Sequence, residues 1–192
     1  MPTILTHAAV GLSTGLALSY RRRPKRFWML AVLCAVLPDF DVLAFKLGIP
    51  YADFWGHRGF FHSLSFALLV GGLTSTLFFR AAERRFGAWL FHTLVFTAAT
   101  ASHGILDALT NGGLGVALLA PFDNERYFFP TTPISVAPLS LKSFLSARGI
   151  AILKNEFLWV WAPALILAAT VRLSIPFTGR HHAGRDKRGT TA

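Results

Sequence analysis

The chain has 192 residues, 53% of them apolar, a mean hydropathy of +0.49 and a formal net charge of +10. That apolar content excludes an ordinary soluble domain, and apolar stretches recurring at membrane-span length point to an integral membrane protein. The single cysteine, Cys34, excludes an intrachain disulfide and a cysteine metal cluster.

In chain order, apolar segments at 4–20, 27–47, 59–79, 86–110 and 157–177 predict an all-α bundle of five transmembrane helices. They form one membrane-embedded domain, 1–178, followed by a small basic tail, 179–192, with the composition of a disordered segment. The first segment has neither a basic n-region nor an A-x-A cleavage site, so it reads as a retained helix and not as a signal peptide. Within it, Gly11-Leu12-Ser13-Thr14-Gly15 matches the nucleophile-elbow pattern G-x-S-x-G. That motif needs a strand-to-helix turn, whereas glycines four apart on a membrane helix make a packing face; packing is the better reading.

Basic residues mark the ends of the segments. Arg21, Arg22, Arg23, Lys25 and Arg26 follow the first, Arg80, Arg84 and Arg85 follow the third, and Arg172, Arg180, Arg185, Lys187 and Arg188 close the fifth. These 13 of the 19 Lys and Arg explain the positive charge as a topology signal, with no need of nucleic acid. The positive-inside rule then puts the N-terminus outside and the C-terminus in the cytoplasm. Tyr20, Trp28 and Trp89 mark the inner rim under this orientation; Tyr51, Trp55, Trp159 and Trp161 mark the outer one.

The polar residues of the apolar segments carry the chemistry. A charged carboxylate at the centre of a membrane helix costs roughly 2.5–3.5 kcal/mol on insertion scales. Yet His7, Asp39, Asp41, His62, His103 and Asp107 lie in or at the rims of the spans, and His57 stands just ahead of one. In the five-span topology all seven fall at the outer face. His103 and Asp107, four apart, share one helical face. Asp39-Phe40-Asp41 cannot put both carboxylates on one face of an α-helix, but an extended or kinked segment after Pro38 can. Gly59 allows a turn between His57 and His62. A lone membrane His or Asp usually serves packing; seven converging residues of ligand type point to a divalent metal. His92 is the internal control: eleven residues before His103, it lies about 16 Å lower on the same helix and is expected outside the cluster.

Beyond the fourth span, Thr110-Asn111-Gly112-Gly113 signals a turn, and 121–130 mixes aromatics with charge. The latter reads as an interfacial loop dipping Tyr127, Phe128 and Phe129 among headgroups, or as a lid in which Arg126 holds an anionic group. Residues 139–153 form a weakly amphipathic stretch suited to an interfacial helix. Glu156 reads as a helix-start residue, with a general-base role as the less favoured reading.

At Leu37-Pro38-Asp39-Phe40-Asp41, His57-Arg58-Gly59-x-x-His62-Ser63, His103-Gly104-x-x-Asp107 and Pro121-Phe122 with Arg126-x-x-x-Pro130, the chain resembles the YdjM-like bacterial inner-membrane family, described as LexA-regulated metal-dependent hydrolases. The resemblance runs from about Thr6 to the last span. A looser similarity in His/Asp ligand logic extends to zinc-dependent phospholipase C. Asp123 departs from the pattern, standing where a small hydroxyl residue is expected after Pro-Phe.

The expectation is a metal-dependent hydrolase acting at the outer membrane face on a phosphoester or lipid-like substrate. His7, Asp39, Asp41, His57, His62, His103 and Asp107 form the pool of metal ligands. Asp39, Asp41, His62 and Asp107 are the catalytic candidates, and Arg58 and Arg126 the phosphate contacts. Zinc is the first choice of metal, with manganese compatible with the carboxylates. Membrane lipids are the expected surroundings. Two rival readings use the same residues: a non-catalytic, metal-stabilised membrane protein, and a divalent-metal transporter. Transport requires a polar path through the membrane, and only Ser13 and His92 lie deep.

Overall fold

A computed structural model describes residues 1–18, 23–79, 86–138 and 140–174. The basic clusters at 21–22 and 80–85 and the tail at 179–192 lie outside the described residues. Among the described residues the fold is all-helical, with two isolated β-bridges, Thr110–Ile134 and Val116–Tyr127, and no strand.

The helices are α1 (Ile4–Leu18), α2 (Lys25–Val36), α3 (Leu43–Lys46), α4 (Leu64–Phe79), α5 (Phe86–Ala108), α6 (Leu141–Phe144), α7 (Ala147–Glu156) and α8 (Ala162–Ser174). Two continuous stretches, Lys25–Lys46 and Ala147–Ser174, are long and apolar enough to cross a membrane; α1 and α4 are shorter apolar helices. The second stretch joins α7 to α8 through a π-helical turn, Phe157–Trp161. The interfacial helix and the fifth span, expected as separate elements, are therefore one 28-residue helix. The third apolar segment forms a shorter helix than expected because the backbone from His57 to Ser63 is committed to turns, and α4 begins only at Leu64.

α5 is the central element, packed against α1, α2 and α4, while α8 packs on the far side of α1. Phe27, Ala31, Ala35, Val95, Phe96 and Ala99 fill the contact between α2 and α5. α1 lies close on α2 because its glycines face it: a Cβ on Gly11 would come within 2.7 Å of the Ala35 Cβ, and one on Gly15 within 3.1 Å of the Trp28 ring. The Ser13 hydroxyl donates to the Ala9 carbonyl at 2.9 Å inside the helix, so G-x-S-x-G here is a packing face and not an elbow. The opposite faces of the helices expose Leu68, Leu77, Ile166 and Leu167, an apolar surface far beyond what water-soluble monomers carry.

Pro38 bends the second apolar segment. Lacking an N–H, it breaks the α-helical ladder, and Leu37–Val42 winds as a tighter 3-10 helix before α3 resumes. The segment around Asp39 and Asp41 is thus neither extended nor α-helical, and the two carboxylates are sent to different neighbours while Phe40 between them stays 62% exposed.

Candidate metal centre

All seven sequence-predicted ligands are buried and meet at one end of the bundle. They fall into three overlapping groups whose ligand atoms lie within 4.8 Å of one another: His7, His103 and Asp107; Asp39, His62 and His103; Asp41, His57 and His62. His103 joins the first two groups and His62 the last two, so the cluster is continuous.

Four elements supply the inner part. His7 comes from the second turn of α1, Asp39 from the 3-10 helix after α2, His62 from a 3-10 turn before α4, and His103 with Asp107 from one face of α5. The His7 and His103 rings stack at 3.6 Å, and the His62 ring stands edge-on to His103 at 4.7 Å. His103 Nδ1 donates to the Ala35 carbonyl at 2.7 Å, which fixes its tautomer and leaves Nε2 as a lone-pair donor 3.3 Å from Asp39 Oδ1. His7 Nε2 lies 3.6 Å from Asp107 Oδ1, and His62 Nε2 lies 3.5 Å from Asp107 Oδ2. Gly104 permits this convergence, because a Cβ there would run into the carbonyl oxygen of His62.

Asp41 organises the outer part. It accepts from His57 Nδ1 at 2.6 Å and from the Arg58 backbone N–H at 3.0 Å, and its Oδ2 lies 3.0 Å from His62 Nδ1. Histidine rings held through one nitrogen by a carboxylate or carbonyl are a common setting for metal ligation through the other.

Nine buried ring-nitrogen and carboxylate-oxygen atoms of His7, Asp39, His62, His103 and Asp107 make no hydrogen bond among the described residues. A buried polar atom left wholly unsatisfied costs about 1–3 kcal/mol; ionic contacts offset part of that for seven of the nine, while His7 Nδ1 and Asp39 Oδ2 have none among the described residues. With neutral imidazoles, Asp39, Asp41 and Asp107 against Arg58 leave two negative charges uncompensated. A divalent cation answers both deficits, and the mixed nitrogen and oxygen donors suit a borderline one. These residues fit a metal.

The two arginines are placed differently from the phosphate contacts anticipated for them. Arg58 is 1% exposed and sits at φ 62°, left-handed backbone that a non-glycine residue seldom adopts. That conformation sends its side chain inward, where Nε lies 2.9 Å from Asp107 Oδ2, while the two terminal nitrogens donate to the Gly112 carbonyl at 2.7 Å and the Thr110 hydroxyl at 3.1 Å. Arg126 donates to the carbonyls of His57, Tyr51 and Asp53 at 2.8–3.1 Å, tying the loop at 121–130 onto the turn that carries His57. Both guanidinium groups therefore hold the protein's own groups. Asp123 accepts from the Tyr127 hydroxyl and from the Glu125 N–H. The hydrogen bond from Tyr127, with the Asp123 charge behind it, holds the phenol in its neutral form and pushes the Tyr127 pKa up to about 12, so this departure from the family pattern serves as a loop staple.

Two contributors escaped the sequence reading. Thr110 accepts from Arg58 while donating to the Asp107 carbonyl at 2.7 Å, closing the Arg58–Asp107 link. Glu156 is not a helix-start residue: fully buried at the end of α7, it accepts from the Thr3 N–H and from the hydroxyls of Thr3 and Thr6, all at 2.6 Å. The carboxylate caps the start of α1 one turn before His7, where the helix macrodipole favours negative charge. Trp161 Nε1 donates to the Thr6 hydroxyl at 2.6 Å and completes the tie. The available signal was an acid at the head of an apolar run, with two threonines ahead of His7. His92 is buried elsewhere, stacked at 4.1 Å on Phe79 with its Nε2 3.2 Å from Arg23, and belongs to none of the three groups.

The chain matches the YdjM inner membrane protein family model over residues 1–182. It is 42% identical over 170 residues to the inner membrane protein YbcI of Escherichia coli strain K12, covering 87% of this chain and 95% of that protein. No solved structure matches it. A match of this extent, spanning every residue of the cluster, places the chain in the YdjM inner membrane protein family.

Proposed function

We propose that the protein is a metal-dependent hydrolase of the bacterial inner membrane, acting on an amphiphilic phosphoester at the outer membrane face. The observation that carries this is the set of nine buried polar atoms without a hydrogen bond, turned toward one another in an acid-rich cluster. In this reading the chain crosses the membrane five times, with the N-terminus outside and the C-terminus in the cytoplasm, so the cluster lies at headgroup depth. Reporter fusions after Arg26, Phe86 and Ala192 test that orientation: all three should behave as cytoplasmic, and a periplasmic result at two would move the site to the other face.

His7, Asp39, His62, His103 and Asp107 hold the ion, zinc first and manganese second, and it supplies Lewis-acid polarisation of the phosphoester and acidification of water. Asp41 orients His62 and His57. His57, at the rim and hydrogen-bonded to Asp41, is the group best placed to move a proton at the mouth of the site. Arg58 fixes Asp107. Arg126 joins substrate binding only by exchanging a protein carbonyl for an anion. The test is hydrolysis of a phosphoester and phospholipid panel by metal-loaded protein, before and after chelation. Turnover that disappears on chelation and returns with zinc or manganese supports the reading; a metal-replete protein that hydrolyses nothing on the panel supports the metal-stabilised, non-catalytic alternative.

A further inference from the structure

A cavity of about 370 Å³ opens beside the cluster, in the size range of small-molecule sites. Nine of its ten lining residues are apolar, and the tenth is Asp41. Leu43, Leu47 and Phe40 form its outer wall and continue the exposed apolar face of the Lys25–Lys46 stretch, Trp55 stands half-exposed at its edge, and the partly buried Phe61 and Phe66 complete it. The cavity therefore opens on the apolar face of that stretch, and its one polar lining residue, Asp41, belongs to the candidate metal centre. The D-F-D segment explains the arrangement: its tight 3-10 turn buries Asp39 and Asp41 against the histidines and leaves Phe40 on the apolar side.

We propose that this cavity receives the aliphatic chain of a bilayer phospho-amphiphile whose phosphate lies at the metal centre. A free polar phosphoester has no use for a crevice with one polar lining residue. A lipid reaching it from the bilayer keeps its chain in apolar surroundings throughout and carries only its head past Asp41 toward the metal centre. The inference rests on the hydrolase reading, and adds which face the substrate enters from and where its chain lies.

The test uses the full chain in amphipol, loaded with zinc, and inorganic phosphate, ethyl phosphate and octyl phosphate as probes. Each buried methylene is worth about fourfold in affinity, so the wild type is expected to bind octyl phosphate at least about tenfold more tightly than ethyl phosphate. Leu43→Trp, which fills the cavity from its half-exposed outer wall, should remove about tenfold of the octyl affinity while leaving inorganic phosphate affinity and zinc content unchanged. Ala44→Phe fills the same space from a different position and serves if Leu43→Trp does not fold. Equal affinity for ethyl and octyl phosphate in a protein that holds zinc and binds phosphate overturns the chain site and leaves the hydrolase reading standing. Chain-length dependence unchanged by either filling variant also overturns it. Failure to hold zinc or bind phosphate in the wild type is a different result, and sinks the hydrolase reading itself.

Discussion

His103 and His92 sit on the same helix, equally buried, and do opposite things. His103 has one nitrogen anchored on a backbone carbonyl and the other turned toward a carboxylate with no hydrogen bond; around it stand two more histidines and two aspartates. His92 lies among Phe27, Phe79, Phe91 and Phe96 with Arg23 beside it. Burial alone does not make a ligand. What separates the two ends of α5 is the convergence of carboxylates and imidazoles short of hydrogen bonds at one end, and aromatic packing at the other.

That contrast can be broken most forcefully at Asp107. Asp107→Asn leaves Arg58 buried without its ionic partner and removes the carboxylate facing His7 and His62. Loss of bound metal is expected together with about 3–5 kcal/mol of stability, read by metal content and denaturant unfolding. A variant that keeps both would mean the pair is incidental. Next comes Glu156→Ala, which strips three hydrogen bonds from the start of α1. It should cost about 2–3 kcal/mol and weaken metal binding through His7, while Glu156→Gln should recover part of both. Unchanged metal affinity in a destabilised Glu156→Ala protein would separate the cap from the site.

Asp41→Asn sharpens the comparison within the cluster. As an orienting group its loss should weaken metal affinity by roughly 10- to 100-fold in a chelator competition, not abolish it. Loss of one of two bound ions would instead make Asp41, His57 and His62 a second metal group. The smallest effect belongs to the control end. His92→Phe keeps the aromatic packing and should leave metal affinity within about twofold, as expected for a distant, independent position.

The convergence of the seven candidate ligands was legible because each is an ionisable residue in or beside an apolar run, and because the expected alternation of the helices brings those ends together. The i and i+4 relation of His103 and Asp107 survived intact, since α-helical geometry is local. What could not be read was geometry set by contacts. Pro38 announced a break but not its form, and the 3-10 turn sends Asp39 to His103 and Asp41 to His57. Arg58 looked like a phosphate contact because guanidinium matches phosphate; its left-handed backbone, which no sequence rule assigns to arginine, turns it inward onto Asp107. Glu156 lies 153 residues from Thr3, and only the packing of α8 on α1 brings that cap into being. The long helix from Ala147 hid behind a polar stretch ahead of the apolar run, where the π turn keeps the two parts continuous.

The most direct test of the account is the metal content per chain of wild type, His103→Ala and His92→Ala, purified alike without chelators and exposed to zinc. The account predicts at least one tightly held ion in wild type and in His92→Ala, and none in His103→Ala. A folded wild type that holds no divalent ion, or equal content in all three, would contradict it.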